Sequence, residues 1–194
     1  CFPPPSEQAA IVRYLDYVDR RVWRLVRAKR KLIELLAENR KKETLKIIEL
    51  AGSKSQRILH VSTLVRRKID RDLQQKFTPI GMFNRGRGMF LKQARAGKEM
   101  GDSDFFWIKS GDLVISGQFA WEGAVALARE SEAGCVASHR YPIIRGREDI
   151  LDTGFLLAFF QTDYGQLLLD HHSRGAAGRN RPLNVNTLLK EKIP

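Results

Sequence analysis

Ile11, Leu15, Val18, Val22, Leu25, Lys29, Leu32 and Leu36 follow one another at alternating steps of four and three residues. Apolar residues at this 3.5-residue period form the seam of a coiled coil. Val12, Val26 and Ile33 widen the stripe, and Lys29 is its single charged interruption. The run "CFPPPSEQ" in front of it marks a start: prolines do not sit inside a helix, Ser6 is a good N-cap, and Glu7 suits the positive end of the helix dipole. Gly52 is the natural stop, so the pattern predicts a helix from about Glu7 to about Leu50, extending roughly 65 Å at 1.5 Å per residue. Such a rod cannot bury its stripe on itself. It requires a second long helix, from another copy, another subunit or a further part of the chain, since a helix this long lies awkwardly across its own domain.

After Ser55 the period changes to short apolar runs broken by Gly and polar turns. "RILHVSTLVRRKI" reads as a strand followed by a helical turn, and "FTPIGMFNRGRGMFL" as strands around a tight loop. "FFWIKSGDLVISGQF" reads as two strands about a Ser-Gly-Asp turn, "EGAVALA" and "GCVASHRYPIIRG" as further strands, and "DTGFLLAFFQTDYGQLLLDHHS" as a helix pair. The fold class is therefore α+β: a coiled-coil arm over residues 1–54, then a compact domain over 55–194 built from strands and helices. The chain opens on Cys1 rather than Met, which reads as a piece trimmed from something longer.

The 194 residues carry 34 Lys and Arg against 22 Asp and Glu, a net charge of +12. That excess points to a polyanion, most often nucleic acid, and it divides evenly: residues 1–55 and the remainder carry +6 each. Cys1 and Cys135 have no metal-binding context and read as reduced thiols of a cytoplasmic protein. The longest apolar run, residues 155–160, is far short of the roughly 18 residues of a membrane span, so no membrane partner is expected. Walker A and Gly-x-Ser-x-Gly patterns are missing, "NRGRG" lacks the strand, third glycine and helix of a dinucleotide loop, and no Asn-Pro-Pro-Tyr motif is present. His171 and His172 are neighbours on a predicted helix, diverge by about 100° and make a poor metal pair. No catalytic residue, metal site or cofactor of this chain's own is expected.

Loops rich in Arg and Gly carry the stronger signal. "NRGRG" presents Arg85 and Arg87, and "SRGAAGRNRPL" presents Arg174, Arg179, Asn180 and Arg181. Arg forks onto guanine and Asn onto adenine in the major groove, although more than half of protein–DNA hydrogen bonds go to phosphate and sugar, so each side chain is open to either use. "SGQFAWEGAV" adds Gln118, Trp121 and Glu122, and "ASHRYP" adds Ser138, His139 and Arg140. Trp121 suits a core position as well as a base-stacking one, and Glu122 suits cytosine N4 or an arginine. Their common reading is one loop-rich face that recognises duplex DNA.

Together these segments resemble a known family. "PPSEQ" (Pro4 to Gln8) leading into a long helix with "KLIELLAENR" resembles the Pro-Pro-x-x-Glu-Gln helix of the specificity subunits of type I restriction-modification systems. "IGMFNRGRGMF", "SGDLVISGQFAWEGAVAL", "GCVASHRYP" and "GRNRPL" resemble their target recognition domains. The resemblance implies a non-catalytic subunit that reads one half of a bipartite target and seats the methyltransferase (M) subunit, which methylates adenine from S-adenosylmethionine; the restriction (R) subunit uses ATP and Mg. A full member has two recognition domains and two antiparallel spacer helices, whereas this sequence has one of each, "KEKIP" resembling the lead-in to a second. The implied partners are double-stranded DNA, the M and R subunits, and a second copy or second half through the long helix. Roughly 65 Å of helix at 1.5 Å per residue spans on the order of 19 base pairs at about 3.4 Å each. The competing expectations are a nonspecific basic coiled-coil adaptor and an enzyme whose site has no recognisable motif.

Overall fold

The computed structural model describes residues 2–70, 72–175 and 181–194 apart from 51–54, and the side chains of 47–50 also lie outside the description. Its elements, in chain order, are α1 (Pro5–Leu50), β1 (Gln56–Arg57), α2 (Ile58–Val61), β2 (Ser62–Val65), β3 (Lys76–Phe77), β4 (Ile80–Met82), β5 (Met89–Leu91), β6 (Arg95–Ala96), β7 (Phe105–Trp107), β8 (Leu113–Ile115), β9 (Val125–Leu127), β10 (Val136–Ser138), β11 (Ile143–Gly146), α3 (Thr153–Phe160), α4 (Asp163–His171), α5 (Val185–Leu188) and β12 (Lys192–Ile193). The mixed α+β class is as the sequence predicts. The chain divides into two compact units, Cys1–Glu43 and Thr44–Pro194. The boundary expected after residue 54, and the stop expected at Gly52, lie among or beside residues outside the description.

α1 starts two residues earlier than Ser6 capping would give. The Pro4 carbonyl accepts from the Glu7 and Gln8 amides at 2.9 and 3.0 Å, and the Gln8 side chain donates back to the Pro3 carbonyl at 2.7 Å. Pro5 is then the first helical residue, a position where a missing N–H costs nothing. Further along, Glu38 and Lys42 pair at 2.9 Å in the favourable i, i+4 order. Lys42 holds the Glu38 carboxyl below its ordinary range through that hydrogen bond. The seam leaves its apolar side chains in solvent, with Leu15, Val22, Leu25, Leu32 and Leu36 all more than half exposed.

In the second unit, an antiparallel sheet runs in the order β2-β11-β8-β9. Both of its faces are buried, and strand periodicity distributes the side chains. Leu113, Ile115 and Ile144 join a cluster with Ile58, Leu156, Phe160 and Leu169 from the helices, while Val114 and Ile143 enter a second cluster with Ile80, Ile108 and Ala137. Helices therefore cover one face and the shorter hairpins the other. Among the described residues, four two-stranded ladders complete the unit: β1-β12, β3-β6, β4-β5 and β7-β10.

Two local expectations are corrected. In "RILHVSTLV" the helical turn precedes the strand, because Ile58 and Val61 both point into the core and the Ser62 hydroxyl closes the turn on the Ile58 carbonyl at 2.7 Å. β7 and β8 form as strands about Ser-Gly-Asp, yet do not pair with each other; β7 joins β10, and β8 lies between β9 and β11. Asp112 explains the divergence. Its fully buried carboxylate takes two hydrogen bonds from Arg67 at 2.6 and 3.0 Å and one from the Lys109 amide at 2.8 Å, which turns the loop inward.

The expected helix pair is α3 and α4, hinged on Thr162. Its hydroxyl donates to the Phe159 carbonyl at 2.7 Å and accepts from the Gly165 amide at 3.0 Å, ending one helix and capping the next. Gly165 is required there, since a Cβ would lie 2.1 Å from the Phe159 carbonyl oxygen. Among the described residues no helix is long and apolar enough to cross a membrane.

Candidate nucleic-acid interface

The β4-β5 hairpin is stiffened from within. Gly81 and Phe90 face each other across the strands, the Phe90 ring fills the space a Gly81 side chain would take, and Phe83 packs on Phe90 with ring centroids 4.7 Å apart. At the tip Arg85 adopts φ +60°, a left-handed backbone uncommon outside glycine, followed by Gly86 at +62°. Two backbone hydrogen bonds pin this conformation: the Arg85 amide donates to the Glu122 carbonyl at 2.8 Å and the Gly86 amide to Gly123 at 2.7 Å. The Asn84 amide side chain also donates to the Glu122 carboxylate. Arg87 lies over the Phe83 ring at 5.2 Å and donates to the Asn84 carbonyl at 3.0 Å, with Arg85 and Arg87 exposed. Two distant motifs, "NRGRG" and "QFAWEG", thus form one surface.

Trp121 is half-buried behind that surface. Its indole N–H donates to the Gln118 carbonyl at 3.2 Å, its own carbonyl accepts from Gln166 at 2.8 Å, and the Arg181 guanidinium lies 4.9 Å above its ring. Arg181 is further engaged by Asp170 at 2.8 Å and by the Ser173 carbonyl at 3.0 Å. Its geometry is that of a clasp between α4, the C-terminal segment and Trp121. Arg174 is exposed and donates to the His171 carbonyl at 3.1 Å. Arg179 and Asn180 lie outside the described residues.

Ser138, His139 and Arg140 end β10. The His139 amide donates to Asp104 at 2.9 Å, and the Arg140 carbonyl accepts from Gly117 at 2.7 Å, immediately before Gln118. This second group therefore adjoins the first through Gly117, where a Cβ would sit 2.6 Å from the Arg140 oxygen. The site residues come together as two adjoining groups rather than one patch. Sequence reasoning missed Asn84, Gln166 and Asp170, whose roles arise from pairings between segments far apart in the chain.

Other chemistry is scarce. Burial, and then the nearby Glu132 carboxylate, push the Cys135 thiol up, opposite to an activated nucleophile. His172 is held between Thr187 at 2.8 Å and Glu191 at 2.9 Å, and among the described residues no cluster of His, Cys, Asp and Glu could hold a metal.

Comparison with solved structures reveals the same architecture in the HsdS subunit from Thermoanaerobacter tengcongensis. The crystal structure of that subunit superposes with a TM-score of 0.60 at 16% identity, over 73% of this chain and 37% of that one. The chain has the HsdS fold. A structure bearing on complex assembly and conformational transition of the type I R-M system matches similarly, with a TM-score of 0.57 at 16% identity over 72% of this chain and 37% of that one. The chain thus covers about 37% of the length of each HsdS-fold structure it matches. No family model and no curated protein matches the sequence.

Proposed function

We propose that this chain is a sequence-specific DNA-binding half of a type I specificity subunit, with no catalysis of its own. The observation that carries the reading is that the HsdS fold comes with a stiffened, doubly anchored hairpin presenting Arg85 and Arg87 beside Gln118 and Glu122. Such a tip suits base-edge contact in a major groove, where an arginine offers a fork to guanine O6 and N7. Glu122 takes a positioning role in this reading, because its carboxylate holds Asn84 and its carbonyl holds Arg85. Arg181 likewise supports Trp121, and Ser138, His139, Arg140 and Arg174 flank the reader.

The M and R subunits of the same complex are the proposed partners, with S-adenosylmethionine, ATP and Mg held by them and none by this chain. α1 is the proposed spacer, paired through Ile11, Leu15, Val18, Val22, Leu25, Lys29, Leu32 and Leu36 with a second copy or second half. Working on genomic DNA, the complex belongs in the cytoplasm of a bacterium or archaeon.

Selection of a randomised duplex pool on the immobilised chain tests recognition. The expected result is enrichment of one short motif. Uniform recovery that collapses with salt would establish a nonspecific basic adaptor instead, because phosphate contacts carry no sequence information.

A further inference from the structure

At the base of the β4-β5 hairpin, opposite the tip with Arg85, lies a cleft of about 360 Å³. It is within the low end of the ligand-pocket range, about 300–1,000 Å³, and its lining is divided between apolar side chains, Pro79, Ile80, Met100 and Phe105, and polar ones. Lys92, Arg95 and Arg140 supply three cations, Ser103, Ser138 and Tyr141 supply hydroxyls, and among the described residues no carboxylate lines it. β4 and β5 bring Lys92 beside Pro79, the Lys92 amide donating to the Pro79 carbonyl at 2.8 Å, and the β3-β6 ladder adds Arg95.

Two of the nearby acids are otherwise engaged. Asp104 pairs with Lys68 at 2.7 Å, and Glu99 accepts from the Ala96 amide at 3.1 Å. Lys92, Arg95 and Arg140 make no ion pair with a described residue, in contrast to Arg67, Arg145 and Arg181, which do. Concave walls carrying one sign of charge focus the field and attract an anion. Burial pushes the Tyr141 phenol up, so its hydroxyl stays protonated and able to donate.

We infer that this cleft binds the sugar–phosphate backbone of duplex DNA, with Lys92, Arg95 and Arg140 as the phosphate contacts that set the register of the base-reading tip. The inference rests on the proposed function and deepens it: neither Lys92 nor Arg95 belongs to an Arg-Gly loop. Position favours backbone DNA over a free anion. Arg140 adjoins Gln118 through Gly117, and the hairpin runs from Ile80 in the cleft to Arg85 at the tip, five residues that reach at most about 17 Å at 3.4 Å per residue. At one phosphate per roughly 3.4 Å of helix axis on each strand, that reach covers about five phosphates. The cleft therefore continues the reading surface along a single backbone.

The test measures binding of fluorescent random-sequence duplex by anisotropy as salt is varied, for the wild-type chain and for Lys92→Ala/Arg95→Ala/Arg140→Ala. Loss of three phosphate contacts should lower the steepness of log K against log salt by about 2.7 and weaken binding about 100-fold at 0.1 M salt. Lys92→Arg/Arg95→Lys/Arg140→Lys, which keeps the charge, should retain the wild-type slope, and circular dichroism of both variants should match the wild type. A triple alanine variant that folds and keeps the wild-type slope and affinity would overturn the cleft while leaving recognition by the tip intact. If the triple lysine–arginine swap also loses the slope, the cations act on folding rather than on phosphate, which overturns it too. A wild-type chain that binds no duplex even at low salt would overturn the proposed function itself, and this inference with it.

Discussion

Arg85 holds a left-handed backbone that costs an ordinary residue roughly 1–2 kcal/mol, and two hydrogen bonds from the segment around Glu122 hold it there. Replacing it with glycine relieves that strain but adds roughly 0.5–1 kcal/mol of unfolded-state freedom. Arg85→Gly should therefore leave stability within about 1 kcal/mol of wild type. Binding to the selected motif should fall by about 1–3 kcal/mol with random-sequence binding little changed, if the fork reads a guanine. Denaturant melts and a paired titration check both halves; an equal loss on all sequences assigns Arg85 to the backbone. Asp112 is the opposite kind of residue, structural and fully buried, with Arg67 as its bidentate partner and Arg145 at 3.6 Å. Removing it takes the carboxylate from the partly exposed Arg67 and Arg145 and leaves the Lys109 amide without its acceptor, so Asp112→Ala should cost about 1–3 kcal/mol in a urea melt. A cost below about 1 kcal/mol would show that the turn does not depend on this pair.

At the scale of elements, the 3.5-residue repeat of α1 was legible because every helical residue takes its neighbours from its own sequence. Lys29 stands in the exposed seam, where a charge lowers stability and fixes register or partner. Lys29→Leu should raise the melting temperature of the assembled form and weaken discrimination among partner helices in competition pull-downs. Unchanged melting with unchanged pairing would reject that role. Light scattering at micromolar concentration should give the mass of a dimer; a monomer would remove self-pairing and leave a different partner helix. The strands were legible as strands, but their partners were not. β7 and β8 are separated by the five residues 108–112 and look like a hairpin, yet the buried Asp112 sends them into different ladders. A carboxylate's burial depends on two arginines far along the chain, which no local pattern reveals.

At the scale of the whole molecule, the positive charge is shared evenly by the two parts read from the sequence, +6 over residues 1–55 and +6 beyond. That is the balance expected of a protein laid along one polyanion. The site was partly legible: Arg85, Arg87, Gln118 and Glu122 announced themselves by Arg-Gly loops and polar strand ends, and the fold assembles them. Arg181 was legible as a cation but not as a clasp, since Trp121 lies far from it in sequence and Asp170 belongs to a separate element, α4. Lys92 and Arg95 carried no local signal, because their cleft exists only once two ladders place them beside Arg140. At every scale the proposal is the same, that the chain reads one half of a bipartite target for an adenine methyltransferase. Co-expression with a methyltransferase subunit that co-purifies with it, followed by genome-wide mapping of methylated adenine, tests that claim most directly. The expected result is a bipartite palindromic motif, two inverted copies of the half-site separated by a fixed spacer. Adenine methylation without a motif, or none despite a stable complex, would contradict it.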